Sequence, residues 1–205
     1  LEQLQVQREK LTERLMKQAF ELSAVRQQKA VELAAQIEAE LKDLQMGRTS
    51  LEVKLSLMED ANGLEWEGKK IRPGKHGIDN AEFLISPNPG EPLRPLSKIA
   101  SGGELSRMML ALKSIFARHE QVPVLIFDEV DTGVSGRAAQ SIADKLSRLS
   151  GLCQVFAITH LPQVACMADR QYLIEKVVED GRTMTRVASL DEAGRVNELA
   201  GMLGG

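Results

Sequence analysis

The chain has 205 residues, 27% of them charged and 43% apolar, with a net charge of −3. That length suits one or two domains of ordinary globular composition, and the weak charge excludes bulk attraction to nucleic acid, so any such contact needs a local patch. No apolar run approaches the roughly 20 residues that cross a bilayer as a helix. Cys153 and Cys166 are the two cysteines. They are far apart, lack zinc-site spacing, and read as reduced thiols of a cytosolic protein.

Residues 1–46 contain neither Pro nor Gly and are rich in Leu, Glu, Gln, Lys, Arg and Ala, all good helix formers. Helical character starts at Leu1-Glu2-Gln3-Leu4 with no initiator Met and no capping residue, which points to a segment cut within a helix. Leu4, Leu11, Leu15, Leu22 and Val25 follow a three-four spacing, and Leu33, Ile37, Leu41 and Leu44 continue it after a one-residue shift. The spacing predicts an amphipathic helix of about 65–70 Å. A stripe this long and narrow suits a coiled coil with a partner helix; packing on the chain's own domain is the alternative.

Gly47 is read as the stop of that helix. Leu51, Val53, Leu55 and Leu57 alternate with polar residues, which predicts a strand over 51–58 with one buried face. Residues 61–79 read as a loop rich in Gly and Lys, and Phe83-Leu84-Ile85 as a strand ended by Pro87-Asn88-Pro89-Gly90.

From residue 104, helices and strands alternate, as in a largely parallel α/β sheet. Leu105, Met108, Met109, Leu112, Ile115 and Phe116 mark the apolar face of one helix. Residues 123–128 and Val155-Phe156-Ala157-Ile158 read as strands buried on both faces. Between them, Ser135 is placed to cap a helix whose buried face is Ala139, Ile142, Ala143 and Leu146. Pro162 suits the first turn of a short helix. Asp180-Gly181 signals a hairpin joining strands at 171–178 and 183–188. Ser189 and Glu192 are spaced as a capping box for a last helix reaching Leu203.

Four places carry chemistry. The strand Val124-Leu125-Ile126-Phe127 ends in Asp128 and Glu129, two carboxylates at the sheet edge where α/β proteins bind ligands. They repel unless a cation lies between them. Asp128 is placed to hold Mg²⁺ through water, and Glu129 to orient and deprotonate a hydrolytic water; a solvated acidic strand end is the bland alternative. Ser101-Gly102-Gly103-Glu104 opens a helix, so its bare backbone N–H groups and the helix dipole form a phosphate cradle, or merely a Gly-Gly turn. Asp131 follows the acid pair by two residues. His160 ends the next strand at the same edge, free to bond a terminal phosphate or to be a satisfied strand-end histidine. The densest basic stretch holds Lys69, Lys70, Arg72 and Lys75. It fails as a phosphate-binding loop, because five residues separate Gly68 from Gly74 and His76 stands where a Ser or Thr is needed. It reads as a solvated loop or as a contact for DNA phosphates.

In this order and spacing, the motifs resemble the C-terminal half of an ABC-type ATPase head. Ser101–Glu104 resembles the ABC signature, Val124–Glu129 the Walker B strand, Asp131 the D-loop and His160 the switch histidine. The long helix before the signature resembles the SMC-like group. Phe83–Glu91, Ala100–Arg107, Asp128–Gly136 and Thr159–Ala165 are similar to the RecN-type bacterial DNA-repair proteins. Ala100 and Glu104 stand where the general signature has Leu and Gln, a variant that fits the RecN-type pattern.

The resemblance implies an α/β fold: the C-terminal lobe of an ABC-type P-loop NTPase head (residues 47–205), with a mostly parallel sheet, after a coiled-coil helix (1–46). It implies ATP and Mg²⁺ as cofactors, and hydrolysis in the complete protein but not in this chain, which has no G-x-x-x-x-G-K-[ST] loop. Ser101, Gly102, Gly103 and Glu104 would contact ATP held by a second head, while Asp128, Glu129 and His160 act on their own. The implied partners are an N-terminal lobe carrying the Walker A loop, a second copy across the ATP, an antiparallel partner helix and DNA, with no membrane. The implied setting is the bacterial cytoplasm, at the nucleoid. A transporter ATPase subunit and a non-hydrolysing coiled-coil scaffold are the rival functions.

Overall fold

A computed structural model describes residues 1–98, 102–117, 122–179 and 181–204. Ser101, and Asp180 at the hairpin tip, lie outside the described residues. The chain divides into two compact units, Leu1–Ala39 with Arg48–Ile99, and Glu40–Gly47 with Ala100–Gly205.

The first unit is built on helix α1 (Glu2–Asp43), which reaches beyond it by one turn. One face of α1 buries Met16, Ala19, Ser23, Ala30 and Ile37. The stripe of Leu4, Leu11, Leu15, Leu22 and Val25 is exposed. The two readings of the helix are therefore not exclusive: it packs on its own unit and keeps a second apolar stripe. Strands β1 (Ser50–Leu57), β2 (Glu59–Trp66), β3 (Lys69–Ile71), β4 (Asp79–Ser86) and β5 (Arg94–Pro95) follow. β1 pairs antiparallel with β4 from Ser50 opposite Ser86 to Leu57 opposite Asp79, and β5 extends β4. Met16 and Ala19 pack with Ile71 and Ile78, flanked by Phe20, Leu57, Leu64 and Trp66. The Phe20 and Trp66 rings stack at 6.1 Å. Polar contacts fix the helix register. Ser23 Oγ donates to Asp79 Oδ1 at 2.6 Å and Arg26 Nη1 to Asp79 Oδ2 at 3.1 Å. The Leu51 N–H donates to Glu38 Oε1 at 2.8 Å.

β2 and β3 correct the expected loop over 61–79. Asp60, Asn62 and Gly63 are poor strand formers, so composition hid the hairpin. Its two-residue turn, Glu67-Gly68, has φ 49° and 78°, the left-handed pair that a type I′ turn needs. The strand bulges between Glu59 and Leu64. A Cβ on Gly63 would lie 2.6 Å from the Ile71 backbone, so the close approach demands glycine.

In the second unit, Leu41 and Leu44 are fully buried. The expected helix stop at Gly47 comes earlier: α1 ends at Asp43, and Gln45 takes the left-handed turn at φ 58°. Helix α2 (Gly102–Phe116), strand β6 (Val124–Phe127), helix α3 (Arg137–Ser150), strand β7 (Gln154–Ala157) and helix α4 (Pro162–Ala165) follow. Hairpin β8 (Tyr172–Glu179) and β9 (Arg182–Ser189) leads to helix α5 (Glu192–Gly204). β6 and β7 are parallel, from Val124 opposite Gln154 to Phe127 opposite Ala157, and α3 is the crossover such a pair requires. The other described strand pairings are antiparallel. α3 buries Ala139, Ile142, Ala143 and Leu146 as expected, together with Ala138, Lys145 and Leu149. Lys145 pairs with Glu40 and, at 3.3 Å, with Asp43 on the last turns of α1.

Three local expectations are corrected. β6 and β7 are not buried on both faces: Ile126 is 70% exposed and Phe156 43%, because a two-stranded pair gives the other face no neighbour among the described residues. Gly136, at φ 54°, holds the N-cap of α3 without a side-chain bond, so Ser135 does not cap it. At α5 the cap is Asp191, whose Oδ1 accepts the Gly194 N–H at 2.8 Å, rather than Ser189, which closes β9.

Candidate nucleotide-hydrolysis site

β6 delivers the acid pair at its C-terminal end, and residues 128–132 turn back at once. The Thr132 N–H donates to the Glu129 carbonyl at 3.2 Å, and Glu129 itself sits at φ 57°. This tight segment rests on the N-terminus of α2. Ser106 Oγ donates to the Asp128 carbonyl at 2.6 Å and Arg107 Nη1 to the Thr132 carbonyl at 2.8 Å. A Cβ on Gly102 would clash with the Glu129 carboxylate. A Cβ on Gly103 would lie 3.1 Å from Thr132 Cβ and 3.2 Å from Thr132 O. The Glu129 side chain is exposed and can swing away from Gly102, so Gly103 is the more tightly confined of the two glycines. Gly103→Ala should destabilise the chain by roughly 1–3 kcal/mol through overpacking. That should outweigh a helix-propensity gain of at most about 1 kcal/mol, because the Thr132 carbonyl is held by the buried Arg107 guanidinium, whose Nη1 itself lies 3.2 Å from the added Cβ. Urea denaturation of the chain checks it.

On its other side the segment reaches the end of β7. Asp131 is buried, its side chain 2% exposed. Its Oδ2 accepts from the Thr159 hydroxyl and, at 3.1 Å, from the His160 N–H. The His160 ring Nδ1 lies 3.4 Å from the same oxygen. Asp128, Glu129, Asp131 and His160 thus lie together at one end of the β6–β7 pair, and Gly102 and Gly103 lie against the same segment of backbone. Asp128, Glu129 and His160 are exposed and open to a ligand.

Sequence reasoning passed over Ser106, Arg107 and Thr159. Arg107 is buried on the inward face of α2. Burial pulls its guanidinium below its ordinary value, and the nearby Glu104 carboxylate opposes that shift. Its Nε has no hydrogen-bond partner among the described residues. The signal was available, because Arg107 lies four residues after Gly103, one turn along the same face. The expected apolar face of α2 rotates accordingly: Leu110 and Ala111 are buried, while Leu105 and Met109 are more than a third exposed.

Among the described residues no three His, Cys, Asp or Glu side chains form a metal-binding group. Mg²⁺ can be held by one or two carboxylates plus phosphates and water, and the exposed Asp128 oxygens are donors of the right hardness for it. The basic stretch lies in the first unit, Lys69 and Lys70 on β3 and Arg72 and Lys75 in the segment after it. Lys69 pairs with Glu59 at 3.5 Å and Arg72 with Asp60 at 3.2 Å. The Asn62 N–H and Arg72 hold the Asp60 carboxyl below its ordinary range. Lys70 and Lys75 make no ion pair among the described residues.

No protein-family model matches the chain. Curated relatives named DNA repair protein RecN do match. That of Halalkalibacterium halodurans is 50% identical over 184 residues, covering 90% of this chain and 31% of the relative. That of Bacillus subtilis is 47% identical over 191 residues, covering 92% and 33%. That of Haemophilus influenzae is 39% identical over 205 residues, covering 100% and 35%. The chain is a RecN-like portion. It spans about a third of the length of the curated relatives it matches.

Solved structures agree on the fold of this RecN-like chain. The Smc head domain with a coiled coil and joint from Pyrococcus yayanosii is 22% identical, with a TM-score of 0.59 over 98% of this chain and 34% of that one. The Smc head domain with an extended coiled coil from Pyrococcus furiosus, bound to the C-terminal domain of ScpA, is 20% identical. It has a TM-score of 0.53 over 96% of this chain and 44% of that one. The α/β fold with a long N-terminal helix is that of an SMC-type head. No helix among the described residues is long and apolar enough to cross a membrane.

Proposed function

We propose that the chain is the C-terminal part of an SMC-like ATPase that binds and tethers DNA in double-strand-break repair and recombination, driven by ATP-dependent head dimerisation and hydrolysis. The observation that carries this reading is the convergence of the acid end of β6, Asp131 and His160 at one end of the β6–β7 pair. The curated relatives, named for DNA repair, set the process.

Bound MgATP supplies a terminal phosphate whose transfer to water needs charge neutralisation and a positioned nucleophile. Asp128 holds the metal, Glu129 orients and deprotonates the water, and His160 faces the terminal phosphate. Ser101, Gly102, Gly103 and Glu104 serve the nucleotide of a second head, and the Walker A loop comes from an N-terminal lobe. The exposed leucine stripe of α1 seats the antiparallel arm helix. Lys70 and Lys75, with Lys69 and Arg72 if DNA displaces their carboxylate partners, touch phosphates. The protein works in the bacterial cytoplasm, at the nucleoid.

Ser101→Arg in the complete protein should abolish ATP-dependent dimers, read by light scattering, and leave ATP affinity unchanged. Loss of ATP binding would overturn the assignment of the signature to the partner's nucleotide.

A further inference from the structure

We infer that Asp131 is a positioning residue that fixes the proton on Nδ1 of His160 and turns Nε2 toward the ligand; the mechanistic value of this rests on the proposed role of His160. Three groups converge on one buried oxygen. The Thr159 hydroxyl and the His160 N–H both donate to Asp131 Oδ2, and His160 Nδ1 faces it at 3.4 Å. An ionised carboxylate has no proton to give, so a bare Nδ1 lone pair facing it at that distance would be repelled, whereas a protonated Nδ1 is attracted. The Thr159 oxygen in turn accepts the Leu161 N–H at 3.0 Å, which commits its own proton to Asp131. Nδ1 must then carry its hydrogen.

The imidazole of free histidine, when neutral, favours the proton on Nε2. The Asp131 contact reverses that preference and leaves Nε2 as the nitrogen able to exchange a proton with a phosphate or with its hydrolytic water. The carboxylate can do this because it is shielded: its side chain is 2% exposed, against 68% for His160. Orientation of a catalytic imidazole by a buried acid works in the same way in hydrolytic triads. Asp131 comes two residues after Glu129, so the segment that presents the base also sets the histidine.

Long-range proton–nitrogen NMR on the histidine-labelled chain tests this. There are only three histidines, His76, His119 and His160. At about pH 9, well above the ordinary imidazole value, His160 should show a protonated Nδ1 and a bare Nε2. In Asp131→Ala, which removes the acceptor, the proton should shift toward Nε2, the preference of a free imidazole, while the other two histidines keep their pattern. Thr159→Val should retain the wild-type tautomer. A wild-type His160 protonated on Nε2, or the same pattern in wild type and Asp131→Ala, would overturn the inference, and the wild-type spectrum alone decides if the variant does not fold. Turnover of His160→Ala in the complete protein tests the parent reading separately, since a wild-type rate there would remove His160 from catalysis without touching the tautomer result.

Discussion

Glu129→Gln in the complete protein is expected to slow ATP turnover by a factor on the order of 10² or more and to prolong ATP-bound head dimers. Glutamine has the same length and shape, so it should preserve the turn in which the Glu129 carbonyl accepts the Thr132 N–H. It loses only the ability to take a proton from water. Asp128, whose backbone is held separately by Ser106, should still bind the metal, so nucleotide affinity should survive. Phosphate release at saturating ATP, with light scattering for the dimer lifetime, makes the measurement. Wild-type turnover would remove Glu129 from the role of base.

A second large effect separates the two faces of α1. Met16 is fully buried in the cluster with Ile71 and Ile78, and its neighbour Leu15 is 47% exposed. Met16→Ala should destabilise the chain by about 2–5 kcal/mol, the cost of a lost apolar side chain plus the cavity left behind. Leu15→Ala should change its stability by no more than about 0.5 kcal/mol. In the complete protein the order of effects on the arm should invert: Leu15→Ala should lower the melting transition of the paired helices. Urea denaturation of the chain and thermal melting of the complete protein check the two halves. Equal losses in the isolated chain would mean that the leucine stripe is not a free surface.

The elements with strong periodicity were legible in the sequence. The spacing of Ala139, Ile142, Ala143 and Leu146 located the buried face of α3, and Pro162 opens α4 where its fixed φ suits a first turn. The convergence of the site was legible because two apolar runs, each ending in polar residues, had to finish at one sheet edge. What composition concealed depended on tertiary partners. Apart from Met16, the buried face of α1 over this stretch runs through Ala19, Ser23 and Ala30, residues too small or too polar to outweigh the leucines beside them. The β2 strand contains Asp60, Asn62 and Gly63, and it exists because Ile71 and the α1 cluster hold it. Arg107 was inside a recognised motif, yet its work, bonding the Thr132 carbonyl, shows only once the 128–132 turn is folded.

The left-handed backbone at Glu129 sets stability against chemistry at one residue. A non-glycine residue there bears a strain of roughly 1–3 kcal/mol, which glycine would relieve by adopting φ 57° without a Cβ penalty. A directed-evolution campaign scored on thermal tolerance alone would therefore push position 129 toward glycine and discard the proton acceptor. One scored on turnover would hold the glutamate and leave the surrounding contacts, from Gly102 to Thr132, to compensate.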